Sequence, residues 1–165
     1  VTIRHLSIVQ AGFYASLAFF TFGVAEPIGG WIADNLIRRG WDETQVRKGI
    51  VTGAFFMGLL LIAAMHTSDT RMAVALLIGA SLVGLSTGNL LAILQSCAPL
   101  EKVGIWTGAE NFAGNLAGII APLAVGLLIK RSGSYVPGSE LGSIVLLLGL
   151  LAYWFVVGEL KPRLS

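Results

Sequence analysis

Two carboxylates lie within long apolar stretches, away from the other charged residues, and they are the first candidates for chemistry in this sequence. Glu26 stands in the first of these stretches and Glu110 in the fourth. An ionisable residue inside a membrane is costly and usually marks a functional site. If these stretches cross a membrane, each carboxyl group is therefore a candidate proton carrier. A structural role stays open for both residues, as a hydrogen bond to a neighbouring helix, and Glu26 could also form part of a gate.

Amide side chains follow Glu110 at helical spacing. Asn111 and Asn115 fall on one stripe of a helix that advances about 100° per residue, together with small residues and Pro122. Small residues let another helix approach closely, and amides can hydrogen-bond across that gap or to a ligand. We predict that Asn111 contacts a ligand, whereas ligand contact and helix packing both stay open for Asn115. Asn89, in another apolar stretch, is a third candidate for substrate binding.

No grouping of residues predicts a metal site, a cofactor or a catalytic triad. The two histidines, His5 and His66, belong to predicted loops. The single cysteine, Cys97, permits neither an internal disulfide nor a cysteine metal cluster. A net charge of +2, without a basic stripe outside the loops, argues against a nucleic-acid partner. We therefore expect no enzymatic activity.

Charged residues are sparse and are missing from whole blocks of the sequence. Only 12% of the 165 residues are charged and 55% are hydrophobic, whereas a soluble domain carries about 25% charged residues. Four blocks contain at most one charged residue each: 49–68, 72–100, 103–129 and 141–158. At ~1.5 Å per residue each block can cross a ~30 Å hydrocarbon core, the last only just. The sequence therefore predicts an all-α membrane protein and excludes soluble enzyme folds.

Hydrophobic blocks and turn residues predict five transmembrane helices in a single domain over residues 1–165. Their expected bounds are 9–34, 46–65, 72–98, 103–129 and 141–158. The second and fifth helices are nearly featureless, whereas the other three carry polar side chains. Polar groups in hydrocarbon are costly, so the simplest arrangement has three cavity-lining helices backed by two lipid-facing ones.

Five spans place the termini on opposite sides, and the distribution of basic residues favours one side as cytoplasmic. One side holds Arg38, Arg39, Arg47, Lys48, Lys102, Lys161 and Arg163, and the other holds Arg4, Arg71, Lys130 and Arg131. The N-terminus is therefore expected outside and the C-terminus in the cytoplasm of a multi-pass cell-membrane protein, in the bacterial inner membrane. In this interpretation every Lys and Arg lies in a loop or a tail.

A spaced pattern of glycine, aspartate and arginine spans the end of the first predicted helix. Gly30 and Asp34 are four residues apart, and the basic pair Arg38 and Arg39 comes next. The pattern resembles the signature loop of the major facilitator superfamily, Gly-x-x-x-Asp-Arg/Lys-x-Gly-x-Arg-Arg/Lys, in the weaker copy between helices eight and nine. Asn35 stands where a basic residue is expected, the second glycine is replaced, and the basic pair is slightly displaced.

The fourth predicted helix is similar to the eleventh helix of the anion:cation symporter family within that superfamily. The similarity rests on Trp106-Thr107-Gly108, on Glu110-Asn111-Phe112 and on the segment 114–119. Glu110 stands where the family pattern has Gln. The resemblance covers essentially the whole chain and identifies it as helices eight to twelve of a transporter. These helices form a partial C-terminal six-helix bundle, and the N-terminal half of the transporter is absent.

The resemblance implies secondary active transport. Members of the family import small organic anions, such as sugar acids or aromatic carboxylates, with protons, and their two six-helix halves rock about a central site. It implies that Asn111 contacts the substrate, with a further contact from Asn89, and that Glu110 carries a proton or orients the substrate. Asp34 and the Arg38–Arg39 pair would form an inner charge network with a partner in the fifth helix of the N-terminal half.

Other functions stay open from the residues alone. No Lys or Arg is predicted to reach the middle of the membrane, so either the N-terminal half supplies the cation for an anionic substrate or the substrate is not anionic. A neutral-solute facilitator or a drug exporter would share the fold, and a structural bundle or a membrane-embedded enzyme is less favoured. The expected partners are the lipid bilayer, a small-molecule substrate, protons and the N-terminal half. Residues 1–165 alone should show no uptake in proteoliposomes.

Overall fold

The computed structural model describes residues 6–160, and five helical spans in this part are long and apolar enough to cross a membrane. The spans are Ile8–Arg38, Glu43–His66, Thr70–Cys97, Leu100–Ser132 and Val136–Phe155. They confirm the predicted all-α membrane protein with five transmembrane helices. Four residues used in the sequence arguments lie outside the described residues: Arg4, His5, Lys161 and Arg163.

Seven α-helices make up these spans. They are α1 (Ile8–Arg38), α2 (Glu43–Gly58), α3 (Leu60–His66), α4 (Thr70–Ala80), α5 (Thr87–Cys97), α6 (Val103–Ser132) and α7 (Val136–Phe155). The second span is interrupted at Leu59, between α2 and α3. The third span contains the 3-10 segment Ser81–Ser86, and a 3-10 turn, Leu100–Lys102, opens the fourth. The apolar sequence predicted neither interruption, because neither contains a proline.

Capping side chains fix the first turns of three helices. Ser7 and Gln10 form a reciprocal capping box at the start of α1. Asp42 caps α2 by accepting a hydrogen bond from the Gln45 amide at 2.9 Å. Asp69 caps α4 in the same way. These acidic residues therefore satisfy backbone donors that the helices leave free.

The first span is longer than expected, which corrects the interpretation of its signature residues. α1 continues through Asp34 to Arg38, and Arg39 is its C-cap residue. The chain turns only at Gly40, whose φ of 92° lies in the left-handed region that favours glycine. Gly30, Asp34 and Arg38 are therefore helical, so the helix geometry fixes the directions of their side chains.

The first and third spans are in close backbone contact. Ala25, Gly29 and Ala33 form the buried face of α1. An ideal Cβ at Gly29 would lie 2.1 Å from the Leu85 carbonyl oxygen, and one at Gly84 would lie 2.5 Å from the Phe22 carbonyl oxygen. Glycine at both positions lets the two backbones meet without a side chain between them.

The second span packs against the first, third and fifth spans, whereas the fourth lies at the margin of the described bundle. A buried cluster of Val51, Ile93 and Leu160 joins the second and third spans to the segment after α7. α6 contacts α5, α7 and its own leading 3-10 turn, and it has no buried residue. The helix that carries Glu110, Asn111 and Asn115 is therefore the one least covered by the described chain.

Candidate functional site

Asn111 and Asn115 lie on the exposed surface of α6. The Asn111 side-chain amide donates to the Thr107 carbonyl oxygen at 3.2 Å, and the Asn115 amide donates to the Asn111 carbonyl oxygen at 2.8 Å. Within residues 6–160 their side-chain oxygens accept no hydrogen bond. The Thr107 hydroxyl, one turn earlier, is buried and has no hydrogen-bond partner in the same part of the chain. This stripe therefore offers polar groups to something outside the described bundle.

Glu110 points to a different side of α6 from the two asparagines. It shares a face with Ala113 and Ala117, three and seven residues later, and both alanines line a groove of about 600 Å³ between α6 and α7. Asn111 is rotated by about 100° from this face. The carboxyl group and the amide stripe are consecutive in sequence, yet they face different surroundings.

Glu26 is half-buried in α1, immediately before Pro27. Its backbone carbonyl oxygen lies 3.7 Å from the position of a Cβ at Gly88 in α5, so this part of α1 also runs beside the third span. α1 and α6 do not contact each other within the described residues. The structure therefore does not bring Glu26 together with Glu110 or Asn111.

Three spans meet at the guanidinium group of Arg47. Its Nε donates to Glu43 Oε1 at 2.8 Å, its Nη2 to Asp34 Oδ1 at 3.3 Å and its Nη1 to Asn89 Oδ1 at 3.3 Å. Asp34 belongs to α1, Glu43 to α2 and Asn89 to α5. Asp34 therefore has an ion-pair partner within its own chain. The sequence contains no local signal for Arg47, because its hydrogen-bond partners lie up to 42 positions away from it.

Arg38 and Arg39 are exposed, and neither forms an ion pair with residues 6–160. The structure therefore does not join this basic pair to Asp34. Gly30 has open space beside it, since a Cβ there would meet no atom of this chain within 4 Å. The close packing of α1 depends instead on its neighbour Gly29.

The expectation that every Lys and Arg lies in a loop or a tail is wrong for Arg47 and Lys48. Both lie in the first two turns of α2, which begins at Glu43, and the expected bounds of 46–65 already included them. Lys48 is only 5% exposed; its Nζ donates to the Val157 carbonyl oxygen and lies 5.7 Å from the centre of the Trp154 ring. Both cations are thus bound by other groups of the described chain.

Asn89 is fully buried and does not face an open cavity. Its side-chain amide donates to the Leu85 carbonyl oxygen at 3.1 Å, and its side-chain oxygen accepts from Arg47. Both polar groups are therefore engaged inside the bundle. Within the described residues, no group of three or more His, Cys, Asp or Glu side chains could hold a metal ion.

Comparison with known proteins gives consistent matches. The family model of the Major Facilitator Superfamily matches residues 1–164. A D-galactonate transporter of Escherichia coli O6:H1 is 31% identical over 158 residues, which are 96% of this chain and 36% of that protein. A probable galactarate/D-glucarate transporter, GarP of Escherichia coli K12, is 29% identical over 159 residues, with the same two shares.

A plant relative is similar over the same part of the chain. A chloroplastic ascorbate transporter of Arabidopsis thaliana is 31% identical over 164 residues, which are 95% of this chain and 29% of that protein. The chain thus spans about a third of the length of the curated relatives it matches. These relatives are named for the transport of small acids.

Proposed function

Because this chain belongs to the Major Facilitator Superfamily, we propose that the full-length protein is a secondary active transporter of a sugar acid or a related small organic anion. The names of the relatives carry this proposal, since they refer to D-galactonate, to galactarate and D-glucarate, and to ascorbate. The protein is a transporter rather than an enzyme. An N-terminal half, outside this chain, would complete the central site and allow alternating access.

The amide stripe of α6 is the proposed substrate contact. Asn111 and Asn115 are exposed, they lie one turn apart, and their side-chain oxygens have no partner within the described chain. A hydroxylated acid offers both donors and acceptors, and an amide can pair with either kind of group. The side chain of Asn89 is already hydrogen-bonded to Leu85 and Arg47, so it is not free to bind substrate directly. Its proposed effect on the substrate site is indirect.

Protons are the proposed coupling ion, and Glu110 is the proposed carrier, with Glu26 as the second candidate. Glu110 is exposed on the side of α6 that faces the groove to α7, away from the amide stripe. Glu26 lies beside Pro27, whose ring leaves a backbone carbonyl of α1 without its helical donor. Both carboxyl groups belong to spans that contain few other charges.

We propose that the N-terminal half supplies the cation that neutralises the substrate, because the two cations of the second span are already bound. Arg47 is engaged by three side chains, and Lys48 is buried against Val157 and Trp154. Both residues lie at the inner end of the second span, away from the middle of the membrane. An Arg or Lys in the first or fourth helix of the N-terminal half would support the anion proposal.

The orientation and the location remain those proposed from the charge distribution. In the described chain, Arg38, Arg39, Arg47, Lys48 and Lys102 lie on one side of the spans, and this side is the proposed cytoplasmic face. The C-terminus would then be cytoplasmic and the N-terminus external. The cell membrane of a bacterium, its inner membrane, is the proposed location.

Uptake by the purified full-length protein in proteoliposomes tests the function. We expect D-galactonate or D-glucarate to accumulate when the outside is more acidic than the inside, and galactose, a neutral sugar, to be excluded. Uptake of galactose at a comparable rate would instead identify a neutral-solute facilitator. Uptake of neither acid, with efflux of an apolar drug, would identify an exporter.

The variant Glu110→Gln tests the coupling. It should abolish accumulation driven by the pH gradient while substrate exchange between two equal compartments continues, because the amide cannot release a proton. Glu140→Gln is the matched control, since Glu140 is an exposed residue near the start of α7 with no proposed role. Unchanged pH-dependent accumulation in Glu110→Gln would make the carboxyl group structural and would move the test to Glu26→Gln.

A further inference from the structure

Arg47 uses all three nitrogens of its guanidinium group, and each nitrogen has a different partner. One partner is Glu43 on its own helix, one is Asp34 at the end of the first span and one is Asn89 in the third span. A guanidinium group is planar, and its donors point in fixed directions. A single side chain therefore sets the relative positions of three spans at their inner ends.

Two of the three hydrogen bonds of Arg47 reach residues outside α2. We call the bond to Asp34 the Asp34 arm and the bond to Asn89 the Asn89 arm, and the two partners differ in their exposure to water. Asn89 has 0% of its surface exposed, and the Arg47 side chain has 12%. The Asp34 side chain is 53% exposed. Water screens an exposed ion pair, whereas loss of a buried partner leaves a donor without any hydrogen bond. The Asp34 arm is therefore easy to break and the Asn89 arm is not.

Asn89 connects Arg47 to a close backbone contact between two spans. Its amide donates to the Leu85 carbonyl oxygen, and the same oxygen would be 2.1 Å from a Cβ at Gly29. α1 and the third span are thus pressed together at Gly29, which makes this point a natural pivot. Asp34 lies five residues further along α1, about 7.5 Å from the pivot. A tilt of about 10° at Gly29 would move Asp34 by about 1.3 Å, enough to break its bond to Arg47.

We propose that Arg47 and Asn89 form a positioning pair that holds the inner ends of the spans in register, and that transport proceeds by release of the Asp34 arm while the Asn89 arm stays formed. This inference rests on the proposed transport function. Asn89 acts through Arg47 and does not touch the substrate. The exposed Arg38 and Arg39 take no part in the pair, since neither forms an ion pair within the described residues.

Transport kinetics of full-length variants test the pair. Asn89→Leu keeps a side chain of similar size without the amide, and Arg47→Gln removes the guanidinium group. We expect each variant to lower kcat about tenfold or more, with KM within about twofold of the wild type, because the substrate site itself is untouched. The double variant should be no slower than the slower single variant, because both residues act as one unit.

Two further variants separate positioning from stability. Arg47→Lys keeps the charge and the apolar stem but cannot hold three partners at once, so kcat should fall as in Arg47→Gln. Asp34→Asn should change kcat by less than about fivefold, because an exposed ion pair contributes little. Asn35→Leu is the matched control for Asn89→Leu. Asn35 also donates to the carbonyl four residues earlier, at 3.0 Å, but does not contact Arg47.

Several outcomes would overturn the inference. A raised KM with normal kcat in Asn89→Leu would make Asn89 a substrate contact. A wild-type kcat in Arg47→Lys, or multiplied losses in the double variant, would show that the two residues act separately. If Asn89→Leu loses activity only in proportion to folded protein, Arg47→Lys still decides the question. Absence of transport by the wild-type protein would refute the proposed function, whereas normal transport by these variants would refute only the positioning pair.

Discussion

Replacement of Gly29 by alanine is the most direct test of how the first and third spans pack. An ideal Cβ at this position lies 2.1 Å from the Leu85 oxygen, 2.7 Å from its carbonyl carbon and 2.8 Å from its Cα. All three atoms belong to the backbone, so no side chain can rotate away from the added methyl group. Gly23, on the same helix, has no atom of this chain within 4 Å of its Cβ position and is the matched control.

The expected cost follows from this distance. Ordinary van der Waals contact begins near 3.4 Å, so α1 and the 3-10 segment must separate by about 1.3 Å at Gly29, beyond the ~0.5–1 Å gap that already loses a quarter to a half of the dispersion energy. Overpacking of this kind typically costs about 1–3 kcal/mol, and we expect the upper end because Gly84 meets α1 in the same region. Alanine gains about 1 kcal/mol of helix propensity in both variants. Gly29→Ala should therefore be about 3 kcal/mol less stable than Gly23→Ala.

Thermal unfolding of the full-length protein in detergent, followed by tryptophan fluorescence, measures the difference. Gly29→Ala should have a clearly lower Tm than the wild type, while Gly23→Ala should match or exceed it. Initial uptake rates in proteoliposomes should follow the same order, because the contact lies at the proposed pivot. If the two variants melt at the same temperature, the close backbone approach at Leu85 is refuted, and the pivot is refuted with it.

Four further measurements concern other contacts. Gly84→Ala should lower Tm by overpacking of about 1–3 kcal/mol, whereas Gly88→Ala, with its nearest contact at 3.7 Å, should not. Leu160→Ala should destabilise the protein by about 2–5 kcal/mol, because this side chain is buried among the second and third spans; an unchanged Tm would contradict that burial. Asp42→Ala should cost about 0.5–2 kcal/mol through the lost helix cap, and Asp42→Ser should restore most of it. Asn111→Ala should raise KM about 2–13-fold, the value of one lost hydrogen bond, without a change in Tm; an unchanged KM would remove Asn111 from the substrate site.

The sequence predicts the helical class and the five spans because both follow from composition and from blocks without charge. The ends of the spans are less predictable. From the sequence, Asp34 is expected to end the first helix and Arg38 to lie in the loop after it, yet α1 continues through both towards the turn at Gly40. The structure shows that charged residues near the membrane surface can remain helical, since the helix satisfies their backbone groups.

Contacts between spans were beyond sequence reasoning for a physical reason. Whether Asn89 faces a cavity or the bundle depends on how α5 is rotated about its axis, and the apolar surroundings in the sequence do not fix that rotation. Arg47 and Asn89 are 42 residues apart, and their hydrogen bond requires the second and third spans to meet at one level. The only hint of this hydrogen bond in the sequence is that each of the two spans contains a polar residue without an evident partner.

The positions of the polar groups on α6 divide the proposed transport cycle between two sides of one helix. Asn111 and Asn115 face away from the described bundle, while Glu110 shares its face with the alanines that line the groove to α7. Bare amides in hydrocarbon are costly, so the amide stripe is where we expect another part of the transporter and the substrate to cover the helix. A proton on Glu110 would then influence the substrate through movement of α6 against α7 and not through direct contact. The small side chains of Ala113 and Ala117 leave room for that movement.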